Sequence, residues 1–254
     1  VNTAISLAAQ GFSVLVLDAD LGLANVDVLL GVRPTATLHE VLKGNCSLDD
    51  ILLQAPGGIT IIPAGSGIEE IQGLRPREKM LLLAEVERIA NKFDFLLIDT
   101  PAGIGSDVMY FNSAAAEIVC VITGEPTSLT DSYALIKVLR STYGEKVFSV
   151  VVNDVPTEAE AKVAFNTLSN AVTKFLQVET RYIGWIPSDE MVRQCIMDRR
   201  PLAAEFPSTK AARGIAEVAS RLVDNARKNR VKGGMQFCFR QLLELSTYGK
   251  EAVC

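Results

Sequence analysis

Two carboxylates, two residues apart, follow an apolar run near the start of the chain. Asp18 and Asp20 come after Val14–Leu17 and lead into a loop that contains Gly22. At such a position one carboxylate could lie near a hydrated Mg²⁺ while the other orients a water molecule. The same two side chains could instead cap or brace the turn. The spacing alone leaves both interpretations open.

A second apolar run also ends in an acid. Phe95–Ile98 precede Asp99, which is followed by Thr100-Pro101-Ala102-Gly103. Four apolar residues and an Asp form the Walker-B pattern of phosphate-hydrolysing α/β proteins, in which the acid holds Mg²⁺, often through water. Gly103 permits a close backbone approach, so its N–H could face a γ-phosphate. The alternative is that Asp99 only caps the next helix.

Two later segments have residue types that suit a purine base. Asn153 follows Val150–Val152, and Pro187-Ser188-Asp189 follow the run that ends at Ile186. An Asn side chain both donates and accepts, so it can pair with a purine edge. The Pro-containing loop could close over the base with its backbone. With the two acidic strand ends, these segments complete a nucleotide site.

The elements that must position these residues alternate between strand and helix. The strands are nearly continuous apolar runs, typical of strands covered on both faces: Phe12–Asp18, Ile59–Ile62, Asp94–Asp99, Glu117–Thr123, Val147–Asn153 and Arg181–Ile186. Helices are predicted near residues 2–10, 77–91, 104–115, 128–143, 157–176 and 208–226. The alternation predicts an α/β fold with an open, mostly parallel sheet flanked by helices on both faces. Ligands of such sheets bind beyond the carboxyl ends of the strands.

Composition excludes several other classes of protein. Of the 254 residues, 48% are hydrophobic and 22% charged, which is not the balance of a disordered chain. No apolar run approaches the ~18 residues that span a bilayer. His39 is the single histidine, which argues against a histidine metal site or a Ser-His-Asp triad. The five cysteines are scattered, as expected for reduced thiols in the cytoplasm; Cys120 is predicted to be core. Asp131 is interpreted as a helix cap.

Charge is concentrated near the end of the chain. The net charge is −5, yet residues 225–243 contain five basic residues and no acid, so the other 235 residues sum to −10. A general role in coating nucleic acid is therefore not expected. Residues 235–245 place most of their apolar side chains on one helical arc, and a basic run before an amphipathic helix suits an anionic membrane surface. An ordinary helix packed on the domain is the alternative. The candidate membrane residues are Arg227, Lys228, Arg230, Lys232, Phe239, Leu242 and Leu243.

Three of these segments together resemble one family. Leu17–Asp27, Asp99–Gly103 and Glu125–Asp131 are similar to motifs of the MinD/ParA family of deviant Walker ATPases, and within it to the flagellar-number regulators. Gly233–Phe237 also resembles a segment of that subgroup, and the likeness covers about residues 1–245. The resemblance implies a P-loop NTPase-like domain over residues 1–226, with a basic and amphipathic segment over 227–254 that includes a C-terminal amphipathic helix.

The resemblance also implies roles for individual residues. Asp20 would be catalytic, orienting or activating the attacking water. Asp18 and Asp99 would serve Mg²⁺, with Asp99 acting as the metal residue through water. Gly103 would supply a backbone donor near the γ-phosphate. Asn153 and the loop Pro187, Ser188 and Asp189 would hold the adenine of ATP or ADP.

One motif of the family is not among these residues. Its phosphate loop, a Gly-Lys-Gly-Gly-Val-Gly-Lys-Thr-like run, is expected immediately before Val1, because residues 2–10 resemble the helix that follows it. Lys232-Gly233-Gly234 is no substitute, since no Gly-Lys-Thr follows. Without the loop, the chain is expected to bind ATP poorly and to be inactive. The alternative is a non-catalytic, partner-binding module of the same fold.

The function implied by the resemblance is that of a switch timed by ATP. ATP would clamp two subunits into a membrane-associated homodimer that regulates polar flagellum number and placement, and hydrolysis would release it. The implied location is the cytoplasm, peripheral on the inner face of the cell membrane. The implied protein partners are an FlhF-like flagellar GTPase or a flagellar transcription activator, with no direct binding of nucleic acid.

Overall fold

A computed structural model describes residues 1–20, 24–65 and 76–229. The chain forms two compact units. The first unit combines Val1–Pro101 with Ser188–Ser220. The second combines Ala102–Pro187 with the chain from Arg221 onward.

The first unit is organised around a four-stranded sheet of order β2-β3-β1-β4. Strands β1 and β3 are fully buried, as their mostly apolar sequences predict, and the polar residues Asp18 and Thr60 are buried with them. Strand β1 pairs in parallel with both β3 and β4, whereas β2 pairs antiparallel with β3. The bounds are β1 Val14–Asp18, β2 Leu53–Ala55, β3 Ile59–Ile62 and β4 Phe95–Asp99.

Helices of the first unit follow and cover these strands. Ser188–Ser220 also belongs to this unit, and the side chain of Asn2 accepts a hydrogen bond from the backbone N–H of Ala203 at 3.0 Å. A 3₁₀ turn covers Asp49–Ile51. The helices are α1 Asn2–Ala9, α2 Val26–Leu30, α3 Leu38–Leu42, α4 Pro76–Ala90, α8 Glu190–Asp198, α9 Leu202–Glu205 and the first part of α10 Lys210–Asn229.

The second unit has three parallel strands in the order β5-β6-β7. Its core lies between these strands and the helices that connect them, and Phe148, Val150 and Val152 of the central strand have no exposed surface. The bounds are α5 Ser106–Ala114, β5 Val119–Ile122, α6 Pro126–Tyr143, β6 Val147–Val155, α7 Glu158–Leu176 and β7 Glu179–Pro187.

The structure confirms the predicted fold class. It also contains all six predicted strands and all six predicted helices, with some ends shifted by a few residues. Strict alternation does not hold, because β2 and β3 form an antiparallel pair. Cys120 is a core residue, as predicted. The interpretation of Asp131 as a cap is wrong, because α6 begins at Pro126 and its N-cap is Glu125.

Two predictions are not tested here. The boundary between a domain over 1–226 and a segment over 227–254 stays a prediction. The amphipathic helix expected over 235–245 lies outside the described residues. Within the part of the chain that the structure describes, no helix has the length and apolar character needed to span a membrane.

Candidate nucleotide site

The two acidic strand ends of the first unit lie side by side. Strands β1 and β4 are parallel neighbours, and their register places Asp18 opposite Asp99. The pairing continues one residue further, where the backbone N–H of Ala19 donates to the carbonyl oxygen of Asp99 at 2.8 Å. Both carboxylates therefore stand at the carboxyl edge of the sheet, where open parallel sheets bind ligands.

The Asp18 side chain holds the loop that follows it. Its Oδ1 accepts a hydrogen bond from the backbone N–H of Asp20 at 3.2 Å. Its Oδ2 accepts from Asn25 N–H at 3.0 Å and from Val26 N–H at 3.1 Å, at the start of α2. Only 2% of Asp18 is exposed. These bonds correspond to the bracing role that the sequence left open, while a role in the Mg²⁺ sphere stays a prediction.

Opposing effects act on the pKa of Asp18. Burial raises the pKa most strongly, because it disfavours the charged carboxylate. The hydrogen bonds from Val26, Asp20 and Asn25 lower it in part, and the negative charge of Asp99 raises it further. The net result is a pKa above the ordinary value of 3.8.

Asp20 lies two residues beyond the end of β1 and is half-buried. Its backbone is fixed by Asp18, so the position of the predicted catalytic carboxylate depends on the buried one. The N-terminal end of α1 lies near the same edge, since its first flanking residue, Val1, is within electrostatic range of Asp99 and Asp18. A helix N-terminus favours anions, which suits a site for phosphate groups.

Gly103 lies in the second unit, just before α5, in the backbone conformation that the sequence suggested. Its φ is +104°, a value that L side chains rarely adopt. Among the described residues, no atom beyond the neighbouring residues of the chain lies within 4 Å of the position that a Cβ would occupy. Glycine is therefore required here by the backbone conformation rather than by crowding, and the space beside it is open.

The predicted base-binding residues Asn153 and Pro187 lie at the carboxyl ends of neighbouring strands of the second unit: Asn153 is two residues before the end of β6, and Pro187 is the last residue of β7. Asn153 is in register with Ile186, and Val155 with Pro187. The ladder is irregular between Asn153 and Val155, where Asp154 has a φ of +56°. A bulge at a strand end re-aims the adjacent side chains, as is common next to binding sites.

Asp189 belongs to the first unit and uses its side chain to hold helices. Its Oδ1 accepts from the N–H of Met191 at 3.1 Å, which caps α8, and its Oδ2 accepts from Ala211 N–H at 3.2 Å, in the first turn of α10. Contact of Ser188 and Asp189 with adenine stays a prediction. The loop geometry assigns the Asp189 carboxylate a capping role.

The predicted membrane residues fall mostly beyond the described part. Arg227 is exposed in the last turns of α10, and Lys228 belongs to the same helix. The other five lie outside the described residues: Arg230, Lys232, Phe239, Leu242 and Leu243.

The donor set suits Mg²⁺ held mainly by water and phosphate. Asp99 presents an exposed carboxylate, the hard oxygen ligand that Mg²⁺ prefers, whereas both oxygens of Asp18 accept backbone N–H groups. Over residues 1–20, 24–65 and 76–229, no group of three or more His, Cys, Asp or Glu could hold a metal ion. A water-mediated role for Asp99 fits both observations.

The structure adds contacts that sequence reasoning missed. Ser128 Oγ accepts from the N–H of Thr123 at 3.0 Å and closes the turn between β5 and α6. Glu117 accepts from Asn225 Nδ2 at 2.9 Å and from Ser149 Oγ, which ties the end of α10 to the second unit's sheet. A capping signal was present at Asp189 and Thr209, but the Glu117 contact joins residues 108 positions apart and has no local pattern.

Comparison with known proteins gives consistent matches. The family model described as an AAA domain matches residues 1–150. The antiactivator FleN of Pseudomonas aeruginosa is 40% identical, over 96% of this chain and 87% of its own length. The flagellum site-determining protein YlxH of Helicobacter pylori is 30% identical, over 96% of this chain and 83% of its own.

Solved structures are similar over most of the chain as well. The cell division ATPase MinD of Pyrococcus furiosus has a TM-score of 0.73 at 25% identity, covering 89% of this chain and 91% of that one. The septum site-determining protein MinD of Pyrococcus horikoshii, complexed with Mg-ADP, has a TM-score of 0.72 at 24% identity and covers 90% of each chain. Both share the fold described above.

Proposed function

Since this chain belongs to the MinD/ParA family of ATPases, as a FleN- and FlhG-like member, we propose that it is an ATP-hydrolysing switch that regulates the number and placement of polar flagella. ATP hydrolysis is the activity of the family, and nucleotide and Mg²⁺ are found in its solved structures. The flagellar role is supported by a relative whose name describes it as flagellum site-determining.

One observation carries the catalytic part of this proposal. Asp18 and Asp99 are in register at the carboxyl edge of the sheet, and Asp18 fixes the backbone of Asp20. The arrangement places a buried carboxylate, an exposed one and the predicted catalytic one at the same edge. Hydrolysis of a phosphoanhydride needs a positioned water and neutralisation of developing charge, which this set of groups suits.

The residues divide the work as follows. Asp20 orients the attacking water and accepts its proton as the new bond to the γ-phosphorus forms and the bond from that phosphorus to the β,γ-bridging oxygen breaks, with ADP as the leaving group. The Asp18 carboxylate keeps Asp20 in place by accepting a hydrogen bond from the backbone N–H of Asp20. Gly103 offers a backbone N–H toward a γ-phosphate oxygen, and the space at its Cβ position is free of atoms from the described part of the chain. Asn153 and the backbone of Pro187 and Ser188 bind adenine.

Asp99 would hold Mg²⁺ through its water shell. When bound, the ion neutralises charge on the phosphate oxygens. Asp99 is suited to this because its carboxylate is exposed at the strand end, while burial and three N–H bonds commit Asp18 to the loop.

The regulatory part of the proposal concerns assembly. ATP favours a homodimer, the dimer presents two copies of the basic, apolar C-terminal segment to an anionic membrane, and doubling the contact strengthens a weak attachment. The proposed location is the inner face of the cell membrane. The proposed protein partners are an FlhF-like GTPase or a flagellar transcription activator, in keeping with the similarity to an antiactivator.

ATP turnover by the full-length protein tests the catalytic assignment. We expect Asp20→Ala to lower kcat by about 100-fold or more, the usual contribution of a positioned acid–base group. Asp198→Ala is the matched control, since Asp198 is an exposed carboxylate at the end of α8. Its turnover should equal that of the wild type.

Two results would contradict the proposal. Unchanged turnover in Asp20→Ala would remove Asp20 from the catalytic role. A full-length protein that hydrolyses no ATP, but still binds a flagellar partner, would establish the partner-binding module instead.

A further inference from the structure

The Asp189 carboxylate joins two helices, α8 and α10, that are not consecutive in the chain. One oxygen caps α8 by accepting from Met191 N–H. The other accepts from the N–H of Ala211, which lies 22 residues after Asp189. The first backbone N–H groups of a helix have no partner within the helix, and their partial positive charge favours a carboxylate. A single side chain therefore serves the N-terminal ends of both helices.

Helix α10 receives a second cap from its own chain. Thr209 Oγ accepts from Ala212 N–H at 3.4 Å, at the third residue of the helix, whereas Asp189 takes the N–H of the second. The two caps are chemically separable. Thr209 stabilises the helix alone, while Asp189 also fixes the helix relative to the loop that begins at Pro187.

This loop is the one to which the proposed function assigns the adenine base, and the inference rests on that assignment. We infer that Asp189 is a positioning residue that couples the nucleotide loop to the first turn of α10. Its carboxylate acts through the two helices, and adenine contacts fall to the loop backbone and Asn153. When nucleotide binding moves the loop, the hydrogen bond from Ala211 N–H to the Asp189 carboxylate changes in length, and the first turn of α10 responds.

The helix extends this coupling toward the end of the chain. It runs without interruption from Lys210 to Asn229, and its last turn includes Arg227 and Lys228, the first residues of the basic segment. Since coupling between two binding equilibria is reciprocal, a ligand of the segment after α10 would in turn change nucleotide affinity by the same factor.

Hydrogen exchange in the full-length protein, with and without ATP and Mg²⁺, tests the inference. The variant Asp189→Asn keeps a good N-cap for α8 but has a single acceptor oxygen, so it cannot serve both helices. In the wild type we expect nucleotide to slow exchange in peptides covering 187–189 and 210–214. In Asp189→Asn the slowing at 210–214 should be lost, and the Kd for a fluorescent ATP analogue should rise by about tenfold.

Thr209→Ala is the matched control, because it removes the other cap of α10 without touching the loop. Exchange at 210–214 should be faster overall in this variant, yet still respond to nucleotide. The inference fails if Asp189→Asn keeps the wild-type response at 210–214, or if the wild type binds nucleotide with no response there. Absence of nucleotide binding by the wild type, seen first in the Kd measurement, would overturn the proposed function together with the inference.

Discussion

Three aspartates at or just beyond strand ends have the same side chain and different surroundings. Asp18 is buried under three backbone N–H bonds, Asp99 is exposed in register beside it, and Asp189 caps two helices. The sequence predicts where these carboxylates lie, because an acid after an apolar run marks a strand end. It does not predict which N–H groups they accept from, since these bonds depend on where later helices begin.

At the residue scale, we expect Asp18→Ala to destabilise the protein. Three backbone N–H groups in a largely buried region would lose their acceptor, at a cost of about 2–3 kcal/mol in the free energy of unfolding. Urea denaturation of wild type and variant measures the difference. Asp198→Ala, at an exposed position, should change stability by less than about 0.5 kcal/mol. Equal stability of Asp18→Ala and wild type would show that the bonds do not hold the loop.

Gly103→Ala tests the backbone conformation before α5. The substitution forces a side chain onto a φ of +104° and should cost about 1–2 kcal/mol, although the added Cβ would meet no atom of the described residues within 4 Å. Gly124→Ala is the control: its φ is ordinary, and the nearest atom to an added Cβ is a Val155 methyl at 3.6 Å. The free energies of unfolding should separate the two, and similar values would contradict the strain argument.

At the scale of elements, long apolar runs were predictable and short pieces were not. The strand at Ile59–Ile62 was predicted with its exact bounds, because its four residues, Ile-Thr-Ile-Ile, are all β-branched. Strand β2 has three residues, none of them buried, and α8 buries only Cys195. Strand β2 is too short for a period of two to show. The apolar residues of α8 do recur at helical spacing, but nine residues with one buried side chain give a weaker signal than the longer helices.

The 3₁₀ turn and the end of α4 are joined by charge, which predicts a pH effect. Asp49 accepts hydrogen bonds from Arg88 and from Lys92 Nζ, the latter at 2.9 Å, and these bonds lower its pKa to about 2. A lowered pKa means that the folded state binds the proton less tightly than the unfolded state. The stabilisation is present above about pH 4 and is lost as pH falls toward 2.

Unfolding followed between pH 5 and pH 2 measures this contribution. The wild type should lose stability over that interval more steeply than Asp49→Asn, which has no proton to gain. Because the three side chains are exposed, the difference should shrink in high salt. Parallel curves for the two proteins would rule out the ion pairs as its source.

At the scale of the whole molecule, the structure changes how the C-terminal segment should be tested. Helix α10 continues to Asn229, and Asn225 bonds to Glu117, so truncation should not begin earlier. We expect the full-length protein to bind anionic liposomes more strongly than neutral ones, and a chain ending at Asn229 to bind much less. Basic side chains near an anionic surface contribute about 1 kcal/mol each.

A triple substitution separates charge from apolar insertion. Replacing Phe239, Leu242 and Leu243 with Ser keeps every basic residue, and we expect it to weaken co-sedimentation while leaving the preference for anionic lipid. Melting curves of the same proteins supply the opposing outcome. Equal lipid binding by the full-length and shortened chains, with a large fall in Tm on truncation, would establish a helix packed on the domain.

The division of the chain into units has a consequence for its synthesis on the ribosome. The second unit's buried core cluster lies between Val108 and Val178, one continuous stretch, whereas the first unit needs both Val1–Pro101 and Ser188–Ser220. The core cluster of the second unit is therefore synthesised in full before Ser188–Ser220, which the first unit needs, although the second unit also takes in the chain from Arg221 onward. A nascent chain stalled once Pro187 has left the exit tunnel should resist protease from β5 to β7, yet be cut readily in β1–β4. During this stage of synthesis, chaperones can bind the apolar strands of the first unit that carry the nucleotide site.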